Sequence, residues 1–167
     1  NCYFNRVYKL KSMKKRRTSM QSNRDRIKEM IEHISTFNDA DPGEGISRFS
    51  YSENDAKARK YLIDICEDIG LKVRVDAVGN VFARLVGTDE SLPVVMSGSH
   101  IDSAKNGGRF DGLVGSIGAL EAVRVMVEEV YQPKNSIDIV FFAEEEVSNF
   151  QVPVMCSKLL TGKLTVD

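Results

Sequence analysis

Residues 98–112 read Gly-Ser-His-Ile-Asp-Ser-Ala-Lys-Asn-Gly-Gly-Arg-Phe-Asp-Gly and follow an apolar run at positions 94–96. The run predicts a strand that stops at small residues, at about position 97, and opens into a polar loop. His100, one of two histidines in the chain, comes at once, and Asp102 follows two positions later. A helical pattern and a second apolar run come next. This strand–helix–strand order favours an α/β fold with two parallel strands.

A second polar cluster, Glu144, Glu145 and Glu146, directly follows the predicted buried strand at 137–143. Three adjacent carboxylates repel one another unless a cation neutralises them. A solvated acidic loop is the alternative interpretation, since runs of like charge commonly face water. In open α/β sheets, however, ligands bind outside the carboxyl ends of the strands. Because the cluster and His100 each follow a predicted strand, we expect them to share one site.

Two acidic residues of the first loop are candidates for the same site. Asp102 can orient the His100 imidazole by accepting its other N–H, an arrangement common at zinc. Asp111 follows the glycine pair 107–108, which lets the backbone turn sharply and bring the carboxylate back toward His100. Alternatively, Asp111 caps the helix that begins at Gly112. The two roles are compatible, because a carboxylate at a helix start can still bind a metal.

These residue types indicate a metal-dependent hydrolytic site. One glutamate of the cluster can ligate a metal while its neighbour acts as general base on a metal-bound water, whose pKa falls toward about 7. Histidine, aspartate and glutamate ligands favour zinc, with manganese or cobalt also feasible. Nucleophilic serine catalysis is disfavoured, because the serines beside His100 lack a second suitable histidine. The other histidine, His33, falls off the apolar stripe of a predicted helix and has nothing ligand-like around it in the sequence, so we expect it to be a solvated surface residue.

Length and composition predict one globular domain, because 42% of the 167 residues are hydrophobic. Residues 1–20 carry seven Lys or Arg and no acid. We expect residues 1–19 to be a basic, disordered extension, with a nucleic-acid arm, a membrane arm or a targeting peptide as alternatives. No apolar stretch of signal-peptide length follows, and no run approaches the roughly 18 apolar residues that span a bilayer. Three cysteines without Cys-x-x-Cys spacing indicate free thiols and a cytoplasmic location.

The rest of the chain shows alternating helical and strand patterns. The predicted elements are a helix from Ser22 or Asn23 to about Phe37, a long loop at 38–50, a helix from Ser52 to Gly70, antiparallel strands at 71–75 and 81–86, a helix at 112–130 and a short helix at 159–164. The long loop is a candidate for lining a site. Cys66 lies near the buried stripe of the second helix and is expected in the core. The apolar face of the 112–130 helix includes Val114, Ala122 and Val130.

Three motifs together resemble a known enzyme family. They are Gly-Ser-His-Ile-Asp-Ser at 98–103, Asn-Gly-Gly-Arg-Phe-Asp-Gly at 106–112 and Ala-Glu-Glu-Glu-x-Ser-x-Phe at 143–150. In this order and spacing they are similar to the N-carbamoyl-L-amino-acid hydrolases, allantoate amidohydrolases and β-ureidopropionases. These enzymes belong to the dinuclear zinc aminoacylase and carboxypeptidase superfamily. The likeness runs from about Asn23 to the C-terminus.

The resemblance implies a role for each site residue. His100 binds one metal, Asp111 bridges two metals and Glu146 is the glutamate ligand. Glu145 is the general base that activates a metal-bridging water, and Asp102 supports His100. The first glutamate of the cluster stays outside the chemistry. The implied cofactors are two divalent metal ions, zinc or else manganese or cobalt, which members of the family bind with further histidines well downstream of these motifs.

The resemblance also implies an α/β, partial zinc-peptidase-like domain with a mixed sheet flanked by helices. Residues 20–167 correspond to the N-terminal part of the catalytic domain, without its C-terminal part and the inserted dimerisation domain, so this chain alone is expected to be inactive. The full-length form is expected to be a homodimer that hydrolyses a small ureido or amidino substrate and binds neither nucleic acid nor membrane. N-carbamoyl-L-amino acids are preferred over allantoate as substrates. A truncated, non-catalytic remnant is the alternative.

Three positions depart from the family pattern. Val147 and Cys156 stand where the family usually has glycine, and Asn149 stands where it has arginine. If those glycines adopt positive φ, Val147 and Cys156 are each expected to cost on the order of 1 kcal/mol of strain.

Overall fold

The computed structural model describes residues 20–165, so the basic segment 1–19 and residues 166–167 lie outside the described residues. The extension expected at 1–19 stays a prediction. The described elements are α1 (Arg24–Ser35), α2 (Glu53–Asp68), β1 (Lys72–Val75), β2 (Val81–Leu85), β3 (Val95–His100), α3 (Leu113–Glu128), β4 (Ile137–Phe142) and α4 (Met155–Leu160). Their order confirms the predicted α/β class.

The four strands form one mixed sheet in the order β1-β2-β4-β3. β1 pairs antiparallel with β2, and β2 pairs antiparallel with β4. β3 and β4 are parallel, and His100 lies opposite Phe142 in the last pair of their ladder. Both strands therefore end at the same edge of the sheet, where ligands bind in α/β folds. The predicted mixed sheet and the parallel pair are confirmed.

The hydrophobic core lies between one face of the sheet and helices α1, α2 and α3. Ile34 of α1, Leu62 of α2 and Ile117 of α3 are fully buried there. Because side chains alternate along a strand, every second residue of β2 and β4 joins the same core. These strand residues are Val81, Ala83, Ile139 and Phe141. Burying a large aliphatic side chain stabilises the fold by about 1.5–3 kcal/mol. The core therefore holds in place the strands whose ends carry the candidate site.

Two predicted helix starts are confirmed by side-chain caps. Asn23 Oδ1 accepts the N–H of Arg26 at 3.0 Å, and Ser52 Oγ accepts the N–H of Asp55 at 3.2 Å. A cap of this kind typically contributes about 1 kcal/mol. In a capping box, the side chain at position 55 would accept the backbone N–H of Ser52. The Asp55 carboxylate instead accepts the N–H of Tyr51 at 2.9 Å.

β3 is longer than predicted, since it runs through His100 and does not end at position 97. The small residue Gly98 does not stop the strand. A Cβ atom at Gly98 would overlap the backbone of Val140 in β4, so the glycine lets the two strands approach closely. His100 is therefore held by the sheet ladder, whereas the sequence predicted it in a loop.

Two helix predictions are wrong in detail. The apolar face of α3 is narrower than expected, because Val114, Ala122 and Val130 are exposed. The short helix at the end of the chain begins at Met155, so residues 161–164 lie beyond it. No helix within residues 20–165 is long and apolar enough to cross a bilayer.

Candidate metal centre

The carboxyl ends of β3 and β4 bring three candidate ligands together. His100 is the last residue of β3, and Glu145 and Glu146 lie just beyond β4. One ligand atom from each residue lies within 4.8 Å of the other two. The arrangement is an imidazole facing two carboxylates, as expected for a shared site at the ends of parallel strands.

The His100 ring is held so that one nitrogen faces the acidic residues. Nδ1 lies 3.0 Å from the backbone carbonyl oxygen of Asp102, which accepts a hydrogen bond when Nδ1 carries the proton. Nε2 then has its lone pair free, 3.6 Å from Glu145 Oε2 and 3.7 Å from Asp111 Oδ1. A neutral imidazole whose other N–H is bound in this way is the form that ligates metals.

Asp102 supports the site through different atoms than the sequence predicted. Its Oδ1 lies 3.7 Å from His100 Nδ1, beyond hydrogen-bond distance, so the backbone carbonyl takes the role expected of the carboxylate. Oδ2 accepts the backbone N–H groups of Glu145 at 3.0 Å and of Glu146 at 3.1 Å. Burial raises the pKa of Asp102, and within residues 20–165 Oδ1 has no hydrogen-bond partner. Asp102 therefore connects the two loops that carry the candidate ligands.

Asp111 reaches the cluster from the surface, with its side chain 68% exposed. Gly112 follows it with a φ of 65°, and a Cβ atom there would lie 2.6 Å from His100 Nδ1. The return of this loop toward His100 therefore depends on Gly112. The alternative role of Asp111 as a helix cap is not observed, because Gly112 holds the N-cap position of α3 and no side-chain cap bond forms there.

Glu144 points away from its two neighbours and is fully buried. Its carboxylate accepts hydrogen bonds from Ser148, Asn149 and Phe150. Burial alone would raise the pKa of Glu144, but these hydrogen bonds outweigh it and hold the pKa below its ordinary value. Glu144 thus lies outside the ligand cluster, as the resemblance implied.

The electrostatics of the cluster fit a divalent cation. Burial raises the pKa of Glu146, and three nearby carboxylates raise it further against the opposing effect of His100. Those carboxylates belong to Asp111, Glu145 and Asp102. A cation among them would relieve their repulsion. The donor atoms are an imidazole nitrogen and carboxylate oxygens, which suit zinc, manganese or cobalt.

Sequence reasoning missed Arg59, which holds the end of β4 from α2. Its Nε forms an ion pair with the buried Asp55 at 2.8 Å. Nη1 donates to the Gly79 carbonyl at 2.9 Å, and Nη2 donates to the Phe142 carbonyl at 3.3 Å. An Asp and an Arg four residues apart on a predicted helix were the available signal for the ion pair. Nothing in the local sequence indicated the two carbonyl contacts.

The loop at 38–50, a candidate for lining the site, instead lies partly beneath it. Arg48 is buried and donates to the carbonyls of Ile101 at 2.9 Å and Ile34 at 3.0 Å. Burial lowers the pKa of its guanidinium. Ser50 Oγ accepts the N–H of Glu144 at 2.6 Å. These contacts anchor the segments that follow β3 and β4.

Two other chemically reactive side chains lie away from the cluster, as predicted. His33 is exposed on α1, and its ring centroid lies 4.4 Å from that of Tyr61. Cys66 is fully buried in the core, and burial raises the pKa of its thiol to about 12. A thiol in this environment is unreactive at neutral pH.

Comparison with known proteins gives consistent matches. Peptidase family M28 matches residues 80–160. A ureidoglycolate hydrolase of Oryza sativa subsp. japonica is 38% identical over 138 residues, which are 83% of this chain and 28% of that protein. An N-carbamoyl-L-amino-acid amidohydrolase of Paenarthrobacter aurescens is 37% identical over 145 residues, 87% of this chain and 35% of that protein. A crystal structure of a hydantoinase/carbamoylase family amidase from Burkholderia ambifaria has a TM-score of 0.84 at 32% identity, over 89% of this chain and 36% of the amidase. The chain is a homologue of these amidohydrolases.

The homology confirms the predicted zinc-peptidase-like fold and the predicted family resemblance. The chain spans about a third of the length of the amidohydrolases that it matches.

The three departures from the amidohydrolase pattern have different outcomes. Val147 has a φ of 59°, which fits the strain expected where the family usually has glycine. Cys156 lies in the first turn of α4 and does not have a positive φ, so the prediction of backbone strain at Cys156 is wrong. The left-handed residues just before α4 are Gln151 and Val154, with φ of 52° and 51°. Asn149 donates from its side chain to Glu144 at 2.9 Å.

Proposed function

We propose that this protein takes part in metal-dependent hydrolysis of linear amide and ureido C–N bonds, with N-carbamoyl-L-amino acids as substrates and allantoate as the alternative. The observation that carries the proposal is the meeting of His100, Glu145 and Glu146 within 4.8 Å at the ends of two parallel strands. Homology to amidohydrolases supports the reaction class. Because the chain spans about a third of those relatives, the proposal concerns the part of the catalytic site that this chain carries.

The proposed cofactors are two divalent ions, zinc or else manganese or cobalt. His100 would bind through Nε2, Glu146 would be the carboxylate ligand and Asp111 would bridge the two ions. When bound, such ions acidify water and stabilise negative charge on a polarised carbonyl group. Further histidine ligands, which the family resemblance implies, are not found near the cluster within residues 20–165, since the other described histidine, His33, lies on α1 away from it.

Glu145 is the proposed general base. Its side chain is 33% exposed, so water and a small substrate can reach it. Its Oε2 would take a proton from the attacking water and deliver it to the leaving nitrogen, because one carboxylate can act first as base and then as acid. The hydrogen bond from its backbone N–H to Asp102 supports this role by fixing where the side chain begins.

The remaining proposals concern the setting of the reaction. Two relatives at 37% and 38% identity carry the names of hydrolases for different ureido compounds, so similarity alone does not choose the substrate. We propose a homodimer that acts in the cytoplasm and binds neither nucleic acid nor membrane. The unpaired buried thiols of Cys66 and Cys156 are compatible with a reducing compartment.

The proposal is tested by Glu145→Gln in the product of the whole reading frame, loaded with zinc, manganese or cobalt. Ammonia release from N-carbamoyl-L-amino acids, allantoate and ureidoglycolate is measured beside the metal content. We expect kcat to fall about 10²- to 10⁴-fold, because a general base is lost while the ligands remain.

Metal content is expected to stay near that of the unaltered protein. Unchanged turnover in the variant would contradict the assignment of the base. Absence of turnover in the unaltered, metal-loaded protein on all three compounds would favour a non-catalytic remnant.

A further inference from the structure

Glu144 has the most hydrogen bonds of the three clustered glutamates, although it does not face the candidate ligands. Oε1 accepts the backbone N–H groups of Asn149 at 2.5 Å and Phe150 at 3.0 Å. Oε2 accepts the Ser148 hydroxyl at 2.8 Å and the Asn149 side-chain amide at 2.9 Å. The carboxylate of Glu144 therefore closes residues 144–150 into a hydrogen-bonded ring.

The backbone of Glu144 fixes this ring to the rest of the fold. Its N–H donates to Ser50 Oγ at 2.6 Å, and its carbonyl accepts the N–H of Met155 at 3.1 Å. The Asn149 side chain also donates to the Ser50 carbonyl at 2.8 Å. The ring is thus tied both to the loop at 38–50 and to the first turn of α4.

The ring holds a backbone that is unfavourable for its residues. Glu144 has a φ of 49° and Val147 has a φ of 59°, and neither is glycine. Non-glycine residues are strained in this region of φ and persist there only when their surroundings hold them. The bonds to Glu144 are the contacts that can offset this cost.

On the other side of the ring, Asp102 Oδ2 accepts the N–H groups of Glu145 and Glu146. Two buried carboxylates therefore hold four backbone amides of one short loop. This arrangement sends the side chains of Glu145 and Glu146 toward His100 while Glu144 stays beneath them.

We propose that Glu144 is a positioning residue, which holds residues 145–150 in the conformation that presents Glu145 and Glu146 to His100. The proposal rests on the proposed function of that cluster. It assigns Glu144 no contact with substrate or metal. The local sequence hint is that Glu144 precedes Ser148 and Asn149, whose short side chains commonly bond to nearby groups in loops.

The first test uses the metal-free 167-residue chain and Glu144→Gln, which keeps the shape of the side chain but removes one acceptor oxygen. Amide hydrogen exchange is followed by NMR. We expect the amides of Asn149 and Phe150 to exchange about tenfold faster or more, because a neutral amide group replaces the charged carboxylate that they bond to and charge-assisted hydrogen bonds are stronger than neutral ones. Unchanged exchange at both amides would overturn the proposal.

Glu121→Gln is the matched control. Glu121 is equally buried, but it lies in the middle of α3 and its carboxylate pairs with Arg26 of α1. This variant should lower the global stability of the chain without a selective effect on Asn149 and Phe150. A uniform loss of protection in both variants would show that Glu144 acts only on global stability and would overturn the proposal.

The second test titrates zinc into the same chains and follows the heat of binding. We expect Glu144→Gln to weaken zinc binding about 10- to 100-fold, the usual cost of removing a group that orients metal ligands, with Glu121→Gln unchanged. Equal affinity of Glu144→Gln and the unaltered chain would overturn the positioning role. If the unaltered chain binds no zinc, the proposal that His100, Glu145 and Glu146 hold a metal ion within this chain fails, whereas the exchange experiment still decides whether Glu144 orders the loop.

Ser148→Ala provides a second, milder variant in case Glu144→Gln does not fold. It removes one of the four hydrogen bonds to the Glu144 carboxylate and leaves the carboxylate in place. We expect faster exchange and weaker zinc binding in the same direction but by smaller factors. An effect of Ser148→Ala as large as that of Glu144→Gln would contradict a ring held by several shared bonds.

Discussion

The two loops that carry the candidate ligands turn back toward the sheet edge in different ways. In the loop after β3, Gly112 has a φ of 65° and leaves the space that the His100 ring occupies. In the loop after β4, Glu144, Val147, Gln151 and Val154 adopt positive φ without being glycine. The first loop depends on the absence of a side chain at Gly112, and at Asn106, where φ is 52°, it uses a residue type that tolerates the left-handed conformation. The second depends on buried carboxylates whose hydrogen bonds offset strain. Replacing the glycine of the first loop with a larger residue should therefore lower the stability of the protein. Replacing Val147 of the second loop with glycine should raise it.

Gly112→Ala should have the largest effect. Its Cβ would lie 2.5 Å from the His100 carbonyl oxygen and 2.6 Å from Nδ1, in a left-handed backbone. We expect a loss of about 2–4 kcal/mol in the free energy of unfolding, from overpacking together with backbone strain. Urea unfolding followed by circular dichroism measures this loss.

Gly118→Ala is the control for this substitution within the same helix. No atom lies within 4 Å of a Cβ there, so alanine should raise stability by up to about 1 kcal/mol through helix propensity. If Gly112→Ala is as stable as Gly118→Ala, the loop after β3 does not need glycine at this position.

Val147→Gly should have a smaller effect of opposite sign. Relief of left-handed strain favours the folded chain by about 1–2 kcal/mol, and the added freedom of glycine in the unfolded chain offsets about half of this. We expect a net gain of about 0.5–1 kcal/mol in the same urea experiment. The matched control is Val114→Gly on the exposed side of α3, where φ is not positive and a small loss is expected. A loss of stability in Val147→Gly would show that this loop is not strained by its valine.

The sequence predicted most of the elements because their signals are local. The caps at Asn23 and Ser52 and the apolar runs of β2 and β4 depend on neighbours in the chain. The meeting of His100 with the glutamates was also predictable, since it follows from two parallel strands that end at one edge.

The remainder depends on contacts between distant segments. Gly98 looked like the end of β3, but its size serves the approach of Val140, which lies 42 positions away. Asp102 was expected to bond to the neighbouring His100 side chain, but its carboxylate accepts amides from the loop after β4. The strain expected at Cys156 is not observed, because Cys156 lies in the first turn of α4, which was not recognised in the sequence. No local pattern encodes partners of this kind.

The central claim, that the two loops form one metal site, is tested most directly by zinc titration of the metal-free chain. The series comprises the unaltered chain, His100→Ala, Glu146→Gln and the double variant. Each single variant should bind zinc more than about 100-fold more weakly, because a complete zinc site gains roughly 10–16 kcal/mol from about four ligands. The double variant should lose less than the sum of the two single losses, since both residues hold the same ion. Zinc affinity equal to that of the unaltered chain in both single variants would contradict the account.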